Sequence, residues 1–177
     1  MSVDYEALLK SYKRKPLAAI EGLSHRISFD QTHIKRIIPQ RDPILYVDEL
    51  IALDLAQGIL AGRRRIDAAD PVFRGHFPGF PVYPGSYTVE MIGQLGLCLN
   101  YFTEHHTTVI DGAARPIMLR ATRIIGALFL EPILPGHVVT LFAKKLEFDG
   151  LLGTGIGQAI VDEKIACVCV CEVAFLQ

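Results

Sequence analysis

The apolar positions of this chain follow two rhythms. From Ser86 to Tyr101, "SYTVEMIGQLGLCLNY", they recur on nearly every side of a helical wheel: Val89, Met91, Ile92, Leu95, Leu97, Cys98 and Leu99 leave little polar surface. A helix of that pattern is buried. Pro84 suits the start of a helix, Ser86 is a candidate cap, and no proline interrupts the run to Tyr101. Elsewhere the rhythm is that of strands. "ILYVDELIAL", "GILAGRRRI", "RPIMLRATRII", "HVVTLFAKKLEF", "LLGTGIGQAIV" and "KIACVCVCEVAF" are β-branched or alternating, with turn signals such as "LPG", "FDG" and "VDEK" between several of them. Strands spaced this closely pair antiparallel rather than through parallel crossovers. The pattern predicts an α+β fold in which a curved antiparallel sheet wraps one long central helix.

The first 29 residues are more polar and carry the cluster Lys10, Lys13, Arg14 and Lys15. "DYEALLKSY" predicts a short amphipathic helix ended by Pro16. Residues 1–29 therefore read as an N-terminal extension, packed on or tethered to a domain of residues 30–177. Thr32 is a candidate cap for a second short helix, "HIKRII", which stops before Pro39.

A length of 177 residues suits one domain with a sizeable core. The formal net charge of −1 argues against general polyanion binding, so no nucleic-acid partner is expected. The basic run Arg63 to Arg65 lies on a strand whose alternation splits it between two faces, the mark of a solvated strand end. The N-terminus lacks the apolar region of a secretory signal, and no apolar run reaches the length of a membrane span. Cys167, Cys169 and Cys171 alternate and so share one strand face, a spacing that suits buried small residues rather than zinc ligands. With Cys98 also in an apolar segment, no disulfide and a cytoplasmic location are expected.

One carboxylate breaks the apolar rule. Between Gly75 and Thr103, Glu90 is the only acidic residue, there is no Lys or Arg, and His76 is the only histidine. A carboxylate in such surroundings must be paired, hydrogen-bonded or chemically employed. His76 sits in a loop stiffened by Pro78, Pro81 and Pro84, with Gly75, Gly79 and Gly85 allowing tight turns and close backbone approach. Neutral imidazole and a desolvated carboxyl form a natural base and acid pair. The first N–H groups of the helix lack intrahelical partners, and Gly85 would let a substrate oxygen approach its N–H closely. These residues suit proton abstraction next to a carbonyl, with an oxyanion site at Gly85 and an acid for a leaving group.

"GHFPGFPVYPGSYTVEMIGQ" resembles the signature of the β-hydroxyacyl-acyl carrier protein dehydratases, which have the hot-dog fold. The resemblance extends through "HIKRIIPQRDPILYVDEL", "DPVFRGHFPG" and "FLEPILPGHVV", and so covers roughly residue 30 to the C-terminus. Glu rather than Asp at position 90 is similar to the Z-type enzyme. The resemblance implies that His76 removes the α-proton of a 3-hydroxyacyl thioester and Glu90 protonates the departing hydroxyl. It implies that the Gly85 N–H binds the thioester carbonyl, that Gln94 holds the polar end of the site, and that Phe77, Phe80 and Tyr83 line an acyl tunnel. It further implies a carrier-protein or coenzyme A thioester substrate, a homodimer with His76 and Glu90 from different subunits, and no metal or organic cofactor. Glu90 is expected to lie in that water-poor tunnel.

This sequence departs from the family pattern at Gln40, at Tyr83, and at Leu128, Leu130 and Glu131, where the family often carries basic residues. These changes, with the extension, hint at a specialised pathway of polyketide or polyene type. Three alternatives stay open: a hot-dog thioesterase, which His76 disfavours; a dehydratase with added isomerase activity; and a non-catalytic acyl-binding subunit, which the presence of both His76 and Glu90 disfavours. His25, His33, His105, His106 and His137 attract no catalytic role.

Overall fold

The computed structural model describes residues 3–176. Seven strands form one antiparallel sheet: β1 (His25–Asp30), β2 (Glu49–Asp54), β3 (Ile59–Arg65), β4 (Leu119–Phe129), β5 (Val138–Phe148), β6 (Leu152–Val161) and β7 (Lys164–Phe175). Their spatial order is β1-β2-β3-β5-β6-β7-β4. After β3 the chain crosses the sheet as a long helix, α3 (Gly85–His105), and re-enters at the far edge as β4, beside β7. Register shifts in the β2–β3, β4–β7, β5–β6 and β6–β7 ladders bend the strands. The sheet thereby curls round α3, which packs chiefly on β5 and also touches β3, β6 and β7. This is the α+β arrangement expected from the sequence.

Strand alternation sorts the sheet into two apolar layers. Val139, Leu141 and Ala143 of β5, Ala159 of β6, and Cys167 and Cys169 of β7 join Met91, Ile92, Leu95 and Phe102 of α3 in the inner core. The helix comes close enough that a Cβ at Gly157 would collide with the Ile92 side chain and the Phe142 carbonyl. All four cysteines are free thiols, and the alternating three share the inner face as their spacing requires. Among the described residues no helix is long and apolar enough to cross a membrane.

The outer face of the sheet is covered too, and by the N-terminal residues. Helix α1 (Tyr5–Tyr12) and the chain up to Leu23 lay Leu9, Leu17 and Leu23 on Phe142, Ile156, Val168 and Val170. Burying each leucine contributes roughly 1.5–3 kcal/mol. The strap is pinned by one buried amide. Gln158 Oε1 accepts from the Leu17 N–H at 2.7 Å, and its Nε2 donates to the Tyr12 and Lys15 carbonyls. Covered on both sides, β7 reads as the unbroken apolar run "IACVCVC". Ser24, just before β1, donates to the buried Asp54 carboxylate at 2.6 Å, and the Gln57 N–H donates to the same group.

Several local expectations shift. Helix α2 (Gln31–Ile37) is capped by Asp30, not Thr32, since Asp30 Oδ1 accepts from the His33 N–H. Pro84 occupies the cap position of α3, and Ser86 lies exposed in the first turn. Arg63 and Arg65 are exposed as a solvated strand end requires, but Arg64 is not. It is held against Asp48 at 2.8 Å with its guanidinium over the Tyr46 ring.

Two outcomes test the strap. Gln158→Leu keeps the volume but leaves the Leu17 N–H and two carbonyls without a buried partner, so it should lower unfolding free energy in urea by about 2–4 kcal/mol. Limited trypsin cleavage after the exposed Arg14 should accelerate in parallel; unchanged stability and cleavage would mean that the amide does not hold the strap. The Ser24 hydroxyl and the Gln57 N–H keep the Asp54 carboxyl down at about 2. A depressed carboxyl stabilises the fold above its unfolded pKa and loses that contribution as pH falls. Wild type should therefore lose stability relative to Asp54→Asn between about pH 4 and pH 2, measured as unfolding free energy against pH.

Candidate active site

The histidine loop is held by backbone groups at both ends. The His76 N–H donates to the Val72 carbonyl at 3.0 Å, and the His76 carbonyl accepts from the Val82 N–H at 2.9 Å. Between them Phe77 and Phe80 exchange hydrogen bonds across "FPGF", a turn whose third residue, Gly79, has φ of +78°. That combination, proline second and a positive-φ glycine third, is the geometry of a type II turn. The imidazole is fixed by the same residue: its Nδ1 lies 2.8 Å from the Val82 carbonyl oxygen. A carbonyl only accepts, so in the neutral ring Nδ1 carries the hydrogen and Nε2 keeps its lone pair.

His76 lines a cavity shared with Gly85, Ser86, Thr88, Phe129 and Cys167. Here α3 begins without a side-chain cap. The Tyr87 and Thr88 N–H groups are satisfied by the Pro84 carbonyl, whereas those of Gly85 and Ser86 find no acceptor among the described residues. They stand at the positive end of the helix dipole. The Phe129 ring lies so near Gly85 that an added Cβ would come within 2.7 Å of it. Position 85 thus keeps the N–H approachable only while it lacks a side chain.

Glu90 lies one turn further along α3, and here the structure departs from the sequence reading. Its side chain is exposed in the single chain. The helix is apolar on the sides facing the sheet, but the side bearing Ser86, Tyr87 and Glu90 is uncovered. Glu90 is not hydrogen-bonded to His76, and it is absent from the lining of the His76 cavity. Its carboxylate is instead aimed by Gln94, a fully buried carboxamide. Gln94 Nε2 donates to Glu90 Oε1 at 2.9 Å and to the Ile44 carbonyl at 2.8 Å, while its Oε1 accepts from the Tyr46 N–H at 2.7 Å.

The three aromatic residues of the loop divide. Phe77 and Phe80 project from the surface, 53 % and 66 % exposed. Tyr83 is buried beside Phe73 and Tyr87, and contributes to the wall of the His76 cavity at the helix start. Burial pushes the Tyr83 phenol up, as it does that of Tyr46, where the neighbouring Tyr87, Asp70 and Glu90 add to the effect. Hydrogen bonds with Cys167 and Cys171, and burial, push the Cys169 thiol up, so it stays protonated and is no nucleophile. Among the described residues no three of His, Cys, Asp and Glu are arranged to hold a metal ion. The anchors supplied by Val82, Ile44 and Tyr46 were invisible in the sequence because all three act through the backbone.

Residues 38–169 match the FabA-like domain. Among curated proteins, the chain is 32 % identical over 136 residues to the 3-hydroxyacyl-[acyl-carrier-protein] dehydratase FabZ of Campylobacter concisus, covering 76 % of this chain and 88 % of that one. It is 30 % identical over 141 residues to the FabZ of Staphylococcus aureus strain JH9, covering 80 % and 90 %. Among solved structures it resembles the dehydratase heterocomplex ApeI:P of Xenorhabdus doucetiae, with TM-score 0.59 at 12 % identity over 81 % of this chain and 91 % of that one. It also resembles the PaaI protein of Escherichia coli, with TM-score 0.54 at 12 % identity over 72 % and 78 %. With the histidine loop, the capless helix start and the aimed glutamate in one hot-dog sheet, the chain belongs to the FabA-like family as a distant relative of the FabZ dehydratases.

Proposed function

We propose that this protein is a hydro-lyase that removes water from a (3R)-3-hydroxyacyl thioester, carried on acyl carrier protein or coenzyme A, to give the trans-2-enoyl thioester. The observation that carries the reading is the way His76 is held. Its Nδ1–H is committed to the Val82 carbonyl, which leaves Nε2 as a base in the same cavity as the unpaired Gly85 N–H. The thioester oxygen accepts from Gly85, so the negative charge that develops on it is stabilised where it forms. His76 Nε2 takes the α-proton, the electron pair becomes the new carbon–carbon double bond, and the bond from C3 to the hydroxyl oxygen breaks. Glu90, as the acid, gives a proton to that oxygen, which leaves as water. Proton exchange with solvent returns both side chains to their starting states.

Glu90 in this reading belongs to a second copy of the chain, so that each cavity of a homodimer draws its base from one subunit and its acid from the other. The surfaces left open by a single chain support this. Glu90 is exposed, and edge strand β4 presents Ile124 and Phe129 at 60 % and 57 % exposure. Phe77 and Phe80 are exposed as well, at the loop that carries His76. The relatives named as acyl-carrier-protein dehydratases support the carrier, and a place in fatty-acid or polyketide-type synthesis is part of the same proposal.

Mass spectrometry of 3-hydroxyacyl thioesters tests the chemistry. Loss of one water is expected, and His76→Ala and Glu90→Gln should each lower the rate by roughly 10²–10⁴; release of free acid would instead favour hydrolysis. Mixing the two inactive variants under subunit exchange tests the shared site. Half the dimers become mixed, each with one intact site, so activity should return to about a quarter of wild type. No recovery despite verified exchange would place both groups in one subunit. Gln94→Leu should lower kcat well below wild type with little change in KM, because the carboxylate loses its aim. It should also lower stability by about 1–3 kcal/mol, because the Tyr46 N–H and the Ile44 carbonyl lose their partner.

A further inference from the structure

A second cavity runs between α3 and the inner face of the sheet, starting just past Glu90 and lined among others by Gly93, Gly96, Asn100, Lys145, Gly155 and Cys171. It opens within a turn of the candidate acid, since Ile92 and Gly93, the second and third residues past Glu90, stand in its wall. Two features of its lining have no role in packing. Glycine in a helix interior is destabilising relative to alanine, yet α3 carries it at 93 and 96. A Cβ at either position would meet nothing within 4 Å, in contrast to Gly157, where Ile92 fills the space. What these two glycines leave is room.

The far end of this otherwise apolar slot is polar. Asn100 Nδ2 donates to the Gly96 carbonyl at 3.0 Å, and its Oδ1 accepts from no donor among the described residues. Lys145 lines the same cavity, its Nζ 2.8 Å from Glu104 on the next turn of α3. A hydrocarbon end has no use for an amide oxygen and an ammonium, whereas a hydroxyl can donate to the first and accept from the second. From Glu90 to Asn100 the helix advances about 15 Å, the reach of an acyl chain on the order of ten carbons.

Building on the dehydratase reading, we infer that this cavity holds the distal part of a long acyl chain that ends in a hydroxyl group, with Gly93 and Gly96 providing the width and Asn100 selecting the end. The test compares kcat/KM of the dimer for three 3-hydroxyacyl thioesters: a four-carbon chain, a twelve-carbon chain ending in methyl, and a twelve-carbon chain ending in hydroxyl. One additional hydrogen bond predicts that the hydroxyl-ended chain is preferred over its methyl-ended counterpart by on the order of three- to tenfold. Asn100→Leu should erase that preference. Gly96→Leu should lower the ratio of long-chain to four-carbon kcat/KM at least roughly tenfold, while thermal unfolding holds or rises because leucine is the better helix former.

Dehydration of the four-carbon thioester with no preference between the two long chains, or a preference that survives Asn100→Leu, overturns the inference and leaves the dehydratase reading intact. If no thioester loses water, that reading fails. The cavity is then judged by calorimetry with the two saturated twelve-carbon thioesters, where equal affinity overturns the inference and tighter binding of the hydroxyl-ended chain upholds it. A dimer structure in which a partner side chain fills the slot would also overturn it.

Discussion

The seating of α3 on the sheet is the contact on which the rest of the molecule depends. A helix this apolar must be covered, and it lies close to β6 only because position 157 has no side chain to hold Ile92 away. That contact determines where the helix begins, and so where the Gly85 N–H points. It also determines where Gln94 falls relative to the chain at Ile44 and Tyr46. A buried carboxamide in a helix is destabilising unless all its polar atoms are satisfied, and Gln94 satisfies them by joining Glu90 of its own helix to the stretch at Ile44 and Tyr46. Packing thus becomes the means by which a carboxylate is aimed.

The polar geometry of the site rests on main-chain groups more than on side chains. The Val82 carbonyl selects the tautomer of His76, and the Pro84 carbonyl takes up the Tyr87 and Thr88 N–H groups while leaving those of Gly85 and Ser86 free. Backbone anchors cannot be altered by point substitution, and they are rigid because the ladders and turns around them are rigid. Such a frame is preorganised for charge that develops during a reaction, the condition under which hydrogen-bond donors contribute most to rate.

The amino-acid sequence disclosed the central helix, six strands and the histidine–glutamate motif because each carries a strong periodic or local signal. β1 escaped notice: "HRISFD" mixes charges with its apolar residues and is specified by pairing with β2 rather than by its own pattern. The second apolar layer was hidden for a similar reason. Only after β6 and β7 are placed does it emerge that Ile156, Val168 and Val170 need a cover, and that Leu9, Leu17 and Leu23 supply it. Both caps were displaced by two residues, where Asp30 and Pro84 competed successfully with Thr32 and Ser86. Arg64 was mistaken for a solvated residue because its partner Asp48 is distant in sequence. The exposure of Glu90 lay beyond any single-chain pattern: a composition that is apolar nearly all round does not say which side waits for another surface.

The strap pinned by Gln158 has a consequence for how the chain is made. Tyr12 and Leu17 bind a residue more than 140 positions downstream. During synthesis the N-terminal strap therefore emerges long before β6 and β7 exist to receive it, with Leu9, Leu17 and Leu23 exposed throughout. Contacts of such long range are slow to form and leave apolar surface open while they wait. The lysines and arginine clustered at positions 10 to 15 lie on that same segment, and their charge keeps it soluble until the last strands of the sheet are in place.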